Sequence, residues 1–333
     1  MPSLNCYKKG YQILGRVEGN LMPKLVVPTR SYGLMREMKT RTSFNDDLEL
    51  EFPEAENILV WARKMVRERA YDICEMPFTT YLAARAVGIK ITAIPLFITR
   101  NFHHQAIHVD TTAGLSDPQD LEGKTAGIVR GYTVTTGVWA RHVLSSEYGV
   151  DLSKVHWSWT DDEHVAEYKL PAFADYNSMG RDFKDLFGNR EIVAAFGTLP
   201  EKVTGVEPLI GDPKAAGFAS YHKTGVYPVN HGIVVRDELL DQYPDLAVDL
   251  FGALKSSKDA YLASINREGN LSKEDSLTVE LENGVKGEPF PYGIEPNRLA
   301  LEALTQTAFD QLITPRKFNV EELFAEGTHD LVG

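Results

Sequence analysis

Segments with the periodicity of strands and of helices alternate along this chain, and this alternation constrains its fold more than any single motif. An apolar run at 24–28 predicts a first strand, and apolar residues at helical spacing follow at 54–69. A continuous apolar run at 89–97 predicts a strand that is buried on both faces. Such alternation is typical of α/β proteins with largely parallel sheets, whose ligands bind beyond the carboxyl ends of the strands.

The same alternation begins again part-way along the chain. A polar turn leads into a predicted strand at 125–129 and a predicted helix at 133–148. This restart predicts a second lobe at 110–225, inserted into a first lobe formed by 1–109 and 226–333. We expect a ligand cleft between the two lobes, close to the points where the chain crosses.

The last third of the chain carries the most informative polar stretch. A polar turn is predicted at 221–231, directly before a strand at 232–235. Helices are predicted at 244–264 and 296–311, with a polar segment at 266–286 between them. Binding clefts are commonly lined by such a turn. Its candidate residues are Thr224, Tyr227 and His231.

Charge and cysteine content exclude several classes of function. The 333 residues carry a formal charge of −12, which argues against a nucleic-acid or anionic-membrane surface. Cys6 and Cys74 are the two cysteines, too few for a disulfide framework and without the spacing of a zinc site. Residues 1–19 lack the apolar stretch of a signal peptide, so we expect a cytoplasmic location.

Glu75 follows a predicted strand at 71–74 and precedes a proline turn. In a partly desolvated cleft its pKa would rise, which would make it a proton donor near neutral pH. The alternative is a carboxylate that caps the following helix.

Arg100 is expected at the carboxyl end of the long apolar strand, where its guanidinium could hold a ligand carboxylate through two parallel hydrogen bonds. His103 and His104 follow, after Phe102. If this segment is extended, the two rings point to opposite sides, and at most one faces the cleft. A metal role for either ring would need further ligands.

Thr133, Thr135 and Thr136 surround the start of the helix predicted in the second lobe. Free backbone donors at a helix start, together with hydroxyls, form a ready anion site. The competing interpretation is a plain threonine cap, and the two are compatible.

Four ordered segments together resemble the 4,5-dihydroxyphthalate decarboxylase family. They lie at 73–82, 100–104, 224–231 and 289–298, and the resemblance runs from about residue 70 to residue 324. It implies a type 2 periplasmic-binding-protein-like fold, and a hydroxylated aromatic carboxylate as the substrate. The family commonly has an arginine where His103 stands.

The resemblance implies decarboxylation in which a phenol serves as the electron sink, so that no organic cofactor is required. A divalent metal ion held by imidazoles is the alternative sink. We assign Arg100 to carboxylate binding, Glu75 or His231 to proton transfer, and His104 to the phenolic oxygen. The predicted substrate site is completed by Phe102, His103, Thr133, Thr135, Thr136, Thr224 and Tyr227.

Two rival functions stay open at this point. One is a binding protein that delivers an aromatic carboxylate to a transporter. The other is a different lyase or dehydratase on the same fold, such as a menaquinone-pathway enzyme acting on chorismate-like acids. The expected partner is a small aromatic carboxylate, with neither nucleic acid nor membrane, and homo-oligomer formation is left open.

Overall fold

The computed structural model of this chain describes residues 22–41, 44–45, 47–53 and 57–333. Within them the strands are β1 (Lys24–Val26), β2 (Glu49–Glu51), β3 (Ile73–Pro77), β4 (Ile91–Arg100), β5 (Ile107–Asp110), β6 (Thr125–Ile128), β7 (His156–Trp159), β8 (Tyr176–Asn177), β9 (Ala194–Phe196), β10 (Val206–Pro208) and β11 (Val229–Arg236). The helices are α1 (Arg36–Thr40), α2 (Ile58–Glu68), α3 (Phe78–Ala86), α4 (Thr135–Tyr148), α5 (Phe183–Gly188), α6 (Pro213–Thr224), α7 (Asp237–Gln242), α8 (Leu246–Ser264), α9 (Lys273–Val285) and α10 (Arg298–Asp310). The α/β class predicted from the sequence is confirmed.

The first sheet has the strand order β3-β11-β4, and β11 runs antiparallel to both neighbours. The chain after β1 lies along the other edge of β3, where Pro28 O accepts a hydrogen bond from Glu75 N at 3.1 Å. Alternate residues of β3 face opposite sides of the sheet. Ile73 packs into the core cluster that contains α8, whereas Cys74 packs into the cluster that contains α2 and α3. Glu75 shares the face of Ile73, below the segment that follows β1.

The second sheet has the order β10-β5-β9-β6-β7-β8. The strands β9, β6, β7 and β8 are parallel, but β5 is antiparallel to both of its neighbours. The expectation of largely parallel sheets is therefore wrong for the first sheet and for one edge of the second. The reason is that β4 leads out of the first sheet and β11 leads back into it, so these two neighbours run in opposite directions.

Two short crossings join the sheets. The chain leaves the first sheet through residues 101–106 and returns through α6 and residues 225–228. The Trp139 indole of α4 donates a hydrogen bond to Val229 O at 2.9 Å, so a helix that packs on the second sheet is bonded to the first residue of β11. The assignment of whole lobes to 1–109 with 226–333 and to 110–225 stays a prediction.

Two helices lie where the sequence predicted a turn and a polar segment. Tyr221–Thr224 form the last turn of α6, and Gly225 ends that helix with a φ of 73°. Helix α9 lies within the polar segment predicted after α8. Its buried residues Thr278, Leu281 and Val285 are three and four residues apart, but the many charged residues between them hide this pattern.

Cys6 lies outside the described residues, and Cys74 is a buried free thiol. Burial raises the pKa of the Cys74 thiol, and the charge of Glu75 raises it further, so this thiol stays protonated. In the part of the chain that the structure describes, no helix combines the length and the apolar character needed to cross a membrane.

Candidate active site

Glu75 lies in the middle of β3 with its carboxylate fully buried. Its Oε2 accepts a hydrogen bond from the backbone N–H of Arg30 at 2.9 Å. Its Oε1 accepts one from the Tyr32 hydroxyl at 2.7 Å, and lies 2.8 Å from His231 Nδ1. The Arg30 guanidinium is 3.4 Å from the same oxygen. A buried carboxylate is tolerated when it is paired and hydrogen-bonded, and Glu75 meets both conditions.

These contacts decide the charge of Glu75. Burial raises the pKa of this carboxyl, but the hydrogen bond with His231 and the positive charges of His231 and Arg30 lower it more, to about 2. Glu75 is therefore ionised at neutral pH and can only accept hydrogen bonds. The hydrogen between the two residues then belongs to His231 Nδ1. This geometry favours His231 over Glu75 as the group that transfers a proton.

His231 stands at an irregular part of β11. The pairing of β11 with β4 shifts register on both sides of His231, and such bulges re-aim side chains beside functional sites. Gly232 lets the strand pass close to Phe78, because a β-carbon there would lie 2.9 Å from the Phe78 ring. Nε2 of His231 has no hydrogen-bond partner within the described residues. This nitrogen is available to a ligand.

Arg30 and Tyr32 belong to the same group, although the sequence patterns did not reveal them. The signal was the polar run Thr29-Arg30-Ser31-Tyr32, which directly follows the first predicted strand. The Arg30 side chain is 45% exposed, and its Nη2 lies 3.1 Å from His231 Nδ1. Burial raises the pKa of Tyr32, and the charge of Glu75 raises it further, so the phenol stays protonated and donates. Arg30 thus places a partly exposed cation beside the pair.

Arg100 is at the end of β4 as predicted, but its guanidinium points into the protein. It donates hydrogen bonds to Tyr227 O at 2.8 Å, to Pro291 O at 3.4 Å and to Asn297 Oδ1. Its Cζ also lies 4.6 Å from the centre of the Tyr227 ring. The Phe102 ring stacks on Tyr227 as well, with 5.3 Å between the ring centres. Burial lowers the pKa of Arg100 to about 10. These contacts use the guanidinium to tie β4 to the return crossing and leave no carboxylate clamp.

Thr133 and Thr135 flank the start of α4 as expected, but their donors are occupied. The carboxylate of Glu163 accepts hydrogen bonds from Tyr132 N, from Thr133 N at 3.1 Å and from the Thr133 hydroxyl at 2.5 Å. Thr135 Oγ1 lies 2.8 Å from Thr79 Oγ1. Glu163 therefore occupies the donors of Tyr132 and Thr133 just before α4, and Thr79 engages the Thr135 hydroxyl.

Thr79 joins the two sheets beside Glu75. Its hydroxyl donates to Thr133 O at 2.5 Å and contacts Thr135 as well. Thr79 belongs to the first turn of α3, directly after β3, and Thr133 lies between β6 and α4. The carboxyl ends of β3 and β6 therefore meet at one edge, which is where ligands of α/β proteins bind.

A charged clasp lies next to this edge. Arg63 of α2 is 2.9 Å from the Asp161 carboxylate and 2.8 Å from that of Asp162. Arg67, one turn later, is 2.6 Å from Asp162 and also donates to His164 O at 2.9 Å. The clasp connects a helix of the first core to the loop that follows β7.

His103 and His104 line one cavity of about 540 Å³, together with Phe102, Trp139 and Thr224. Both rings reach it because residues 103–106 form a 3-10 turn, so the extended segment on which opposed rings would depend is not present. Burial lowers the pKa of His103 to about 3, with smaller contributions from His104 and His231, and neither ring nitrogen has a partner in the described structure.

His104 Nε2 lies 3.1 Å from both oxygens of Glu147. It is therefore engaged apart from the Glu75 group. Thr224 donates its hydroxyl to Ser220 O at 2.8 Å, at the end of α6. Tyr227 donates its hydroxyl to Pro289 O at 3.1 Å. The structure thus brings Glu75 and His231 into contact. In the described part of the chain, the other predicted site residues do not contact this pair through a hydrogen bond.

Thr136 lines a second cavity, of about 660 Å³, with Asn101, Gly197 and Asn230. Asn101 belongs to the outgoing crossing and Asn230 is the second residue of β11, so this cavity lies where the sheets are joined. Asn230 Oδ1 is buried without a partner among the described residues. In the same residues no group of three or more histidine, cysteine, aspartate or glutamate side chains could hold a metal ion.

The sequence of this chain matches the family described as NMT1/THI5 like over residues 46–264, which is more than half of its length. The chain belongs to the NMT1/THI5-like family. The resemblance noted in the sequence is also confirmed. The chain is 28% identical, over 78% of its length and 83% of the relative's, to a protein of Comamonas testosteroni named 4,5-dihydroxyphthalate decarboxylase. A protein of Pseudomonas putida with the same name is 35% identical over 27% of this chain and 35% of its own length.

Solved structures show the fold of this family member. The alkanesulfonate-binding protein SsuA of Xanthomonas axonopodis pv. citri, bound to MOPS, matches 92% of this chain and 99% of its own with a TM-score of 0.52 at 13% identity. The periplasmic aliphatic sulphonate-binding protein SsuA of Escherichia coli matches 91% and 92% with the same TM-score at 9% identity. The two-lobed periplasmic-binding-protein-like fold expected from the sequence is confirmed.

Proposed function

We propose that this protein is a carboxy-lyase that removes one carboxylate, as carbon dioxide, from a hydroxylated aromatic acid resembling 4,5-dihydroxyphthalate. The observation that carries the proposal is the Glu75–His231 pair, in which Glu75 and the Arg30 guanidinium lie on the Nδ1 side of the imidazole and Nε2 is left unpartnered among the described residues. The names of two relatives support the choice of substrate. Such a reaction would serve the breakdown of aromatic acids.

Arg30 takes the role that the sequence had suggested for Arg100. A guanidinium holds a carboxylate through two parallel N–H groups. One N–H of Arg30 is directed at Glu75, which orients the group, and its 45% exposed side chain keeps other N–H groups for a ligand. A carboxylate bound there would lie next to the imidazole of His231.

The chemical step needs a proton at the ring carbon that carries the carboxylate. We assign the donor to Nε2 of His231, because Glu75 holds the opposite nitrogen and balances the charge of the protonated ring. Electrons from the phenolate para to this carbon form the new C–H bond and give a dienone. The C–C bond to the carboxylate then breaks, carbon dioxide leaves, and its electron pair restores the aromatic ring. No electrons leave the substrate, so no redox cofactor is required.

Tyr32 supports this arrangement without touching the substrate in the scheme. Its hydroxyl donates to the same Glu75 oxygen that accepts from His231. Tyr32 is therefore a positioning residue, which limits the directions in which the carboxylate can turn.

The proposal is tested by incubating the protein with 4,5-dihydroxyphthalate in heavy water and following carbon dioxide and the aromatic product. We expect 3,4-dihydroxybenzoate that carries one deuteron at the carbon from which the carboxylate left. His231→Asn should abolish release of carbon dioxide. His156→Asn is the matched control, because His156 is a half-exposed histidine on β7 whose partner is Asp175.

Two outcomes would contradict the proposal. Full activity of His231→Asn would remove the assigned proton donor. Tight binding of several hydroxyaryl acids without release of carbon dioxide from any of them would support a binding protein, the alternative that the fold shared with the SsuA proteins favours.

A further inference from the structure

Arg130 has an unusual backbone conformation directly after β6. Its φ is 80°, in the left-handed region, although it is not a glycine. Its N–H donates to Thr160 Oγ1 at 2.9 Å, and its carbonyl accepts from Thr160 N at 3.1 Å. A left-handed non-glycine residue is strained and persists only where the surroundings enforce it, and such residues cluster at functional sites. Thr160 provides this constraint from both sides.

The turn that follows Arg130 is held just as firmly. Glu163 accepts hydrogen bonds from Tyr132 N and Thr133 N, and a β-carbon on Gly131 would lie 2.9 Å from a Glu163 oxygen. Because Glu163 occupies these donors, they cannot bind a ligand carboxylate. The Arg130 guanidinium is different: it has no hydrogen-bond or ion-pair partner in the described part of the chain. It is the cation at the end of β6 that a ligand can reach.

Arg130 lies on the same edge as the Glu75 group. The hydrogen bonds of Thr79 to Thr133 and Thr135 hold the carboxyl ends of β3 and β6 together, and Arg130 lies three residues before Thr133. Burial lowers the pKa of Arg130, and the positive charges of Arg63 and Arg30 lower it further, while Asp161 opposes them. Arg130, which follows β6, and Arg30, which lies beside β3, thus place two cations at this edge.

We propose that Arg130 binds a second carboxylate of the substrate while Arg30 binds the one beside His231, so that the site selects aromatic acids with two adjacent carboxylates. This inference rests on the proposed function and adds to it the residue that determines specificity. A dianion can pair with both guanidinium groups, whereas a monoanion pairs with only one of them. A rigid turn favours such selection because little freedom is lost on binding.

The test measures equilibrium binding of phthalate and benzoate by calorimetry. Neither acid carries the phenol that the proposed reaction needs, so binding is separated from chemistry. The variant is Arg130→Gly, since glycine keeps the left-handed backbone without strain. Arg190→Gly is the matched control, because Arg190 is exposed and also left-handed, with a φ of 57°. An unchanged unfolding midpoint shows that each variant is folded.

We expect the wild type to bind phthalate roughly tenfold or more tightly than benzoate, as one added charge-assisted pair would give. Arg130→Gly should bind phthalate as weakly as benzoate and leave benzoate affinity unchanged. Arg130→Lys should fall between, because an ammonium cannot form the two parallel bonds. Arg190→Gly should match the wild type.

The inference is overturned if the wild type does not distinguish the two acids, or if Arg130→Gly weakens both equally or neither. Failure of the decarboxylation assay with intact discrimination between the acids would refute the proposed reaction and leave this subsite standing. The two proposals therefore fail in different experiments.

Discussion

The carboxylate of Glu75 and the imidazole of His231 lie diagonally across β3 and β11, with Oε1 2.8 Å from Nδ1. Glu75 pairs in register with Ile233, and His231 pairs with Pro77, so the two side chains share one face of the sheet. Because β11 is paired with β3 and β4, and Nδ1 is held by Glu75, the direction of the free nitrogen is fixed. The catalytic proposal depends on this relationship.

Replacing Glu75 by glutamine should slow turnover. The amide keeps the shape of the side chain, but it no longer balances a positive imidazole. We expect kcat to fall roughly 10²-fold or more with a small change in KM. Steady-state kinetics with the proposed substrate checks this. A fall in kcat/KM caused by KM alone would place Glu75 in binding rather than in orientation of His231.

The same variant should change stability in acid. The pKa of Glu75 is held at about 2, below its ordinary value of 4.5, so the ionised form stabilises the folded protein at neutral pH by on the order of 3 kcal/mol. That contribution is lost as the pH falls from about 4.5 towards 2. Urea unfolding should show a less stable Glu75→Gln at pH 7 and a smaller difference from the wild type at pH 3. A constant difference would contradict the depressed pKa.

Replacing Arg30 by alanine should raise KM for the acid by roughly tenfold or more, because a charge-assisted carboxylate pair is lost. Arg30→Lys should recover part of this loss. The matched control is Arg36→Ala, on α1, whose guanidinium lies over the Tyr261 ring instead. An unchanged KM in Arg30→Ala would show that Arg30 does not bind the substrate carboxylate and that another cation does.

Replacing Arg100 by methionine separates the expected clamp from the observed packing. It leaves Asn297 Oδ1 and Tyr227 O without their buried donor. We expect a loss of about 2–4 kcal/mol in the free energy of unfolding, with the KM of the folded variant unchanged. Denaturant titration and kinetics together check this. Preserved stability together with a raised KM would show that Arg100 binds the substrate carboxylate, as the sequence predicted.

Replacing His103 by phenylalanine should make the protein less sensitive to acid. The pKa of His103 is lowered to about 3, so the folded form stays neutral while the unfolded chain takes up a proton below its ordinary value of 6.5. This difference favours unfolding as the pH falls from 6.5 towards 3. We therefore expect the unfolding midpoint of His103→Phe to depend less on pH in this window than that of the wild type. An identical pH dependence would show that His103 is protonated in the folded state.

The sequence patterns pointed to Glu75 and His231 because Glu75 directly follows one predicted strand and His231 directly precedes another, and the structure brings the two side chains together. Arg30 was hidden, since β1 has only three residues and the approach of the following segment to β3 is a long-range property. Arg100 was placed on the correct strand, but position along a strand does not fix what the long side chain contacts. The donors at Thr133 were identified, but Glu163, thirty residues later, fills them.

Helix α9 and the direction of β11 could not be predicted from the sequence either. Helix α9 has a narrow buried face beneath a charged surface, so its periodicity is weak without knowledge of what it packs against. The antiparallel β11 could not be derived from alternation alone, because its direction follows from the return of the chain between the lobes.

The clasp formed by Arg63 and Arg67 with Asp161 and Asp162 consists of partly exposed ions, with side chains 25–45% accessible to solvent. Dissolved salt screens such contacts over about 8 Å at physiological ionic strength, but it does not reach the enclosed carboxylate of Glu75. Concentrated salt should therefore loosen the attachment of α2 to the loop after β7, while the buried contact between Glu75 and His231 is kept.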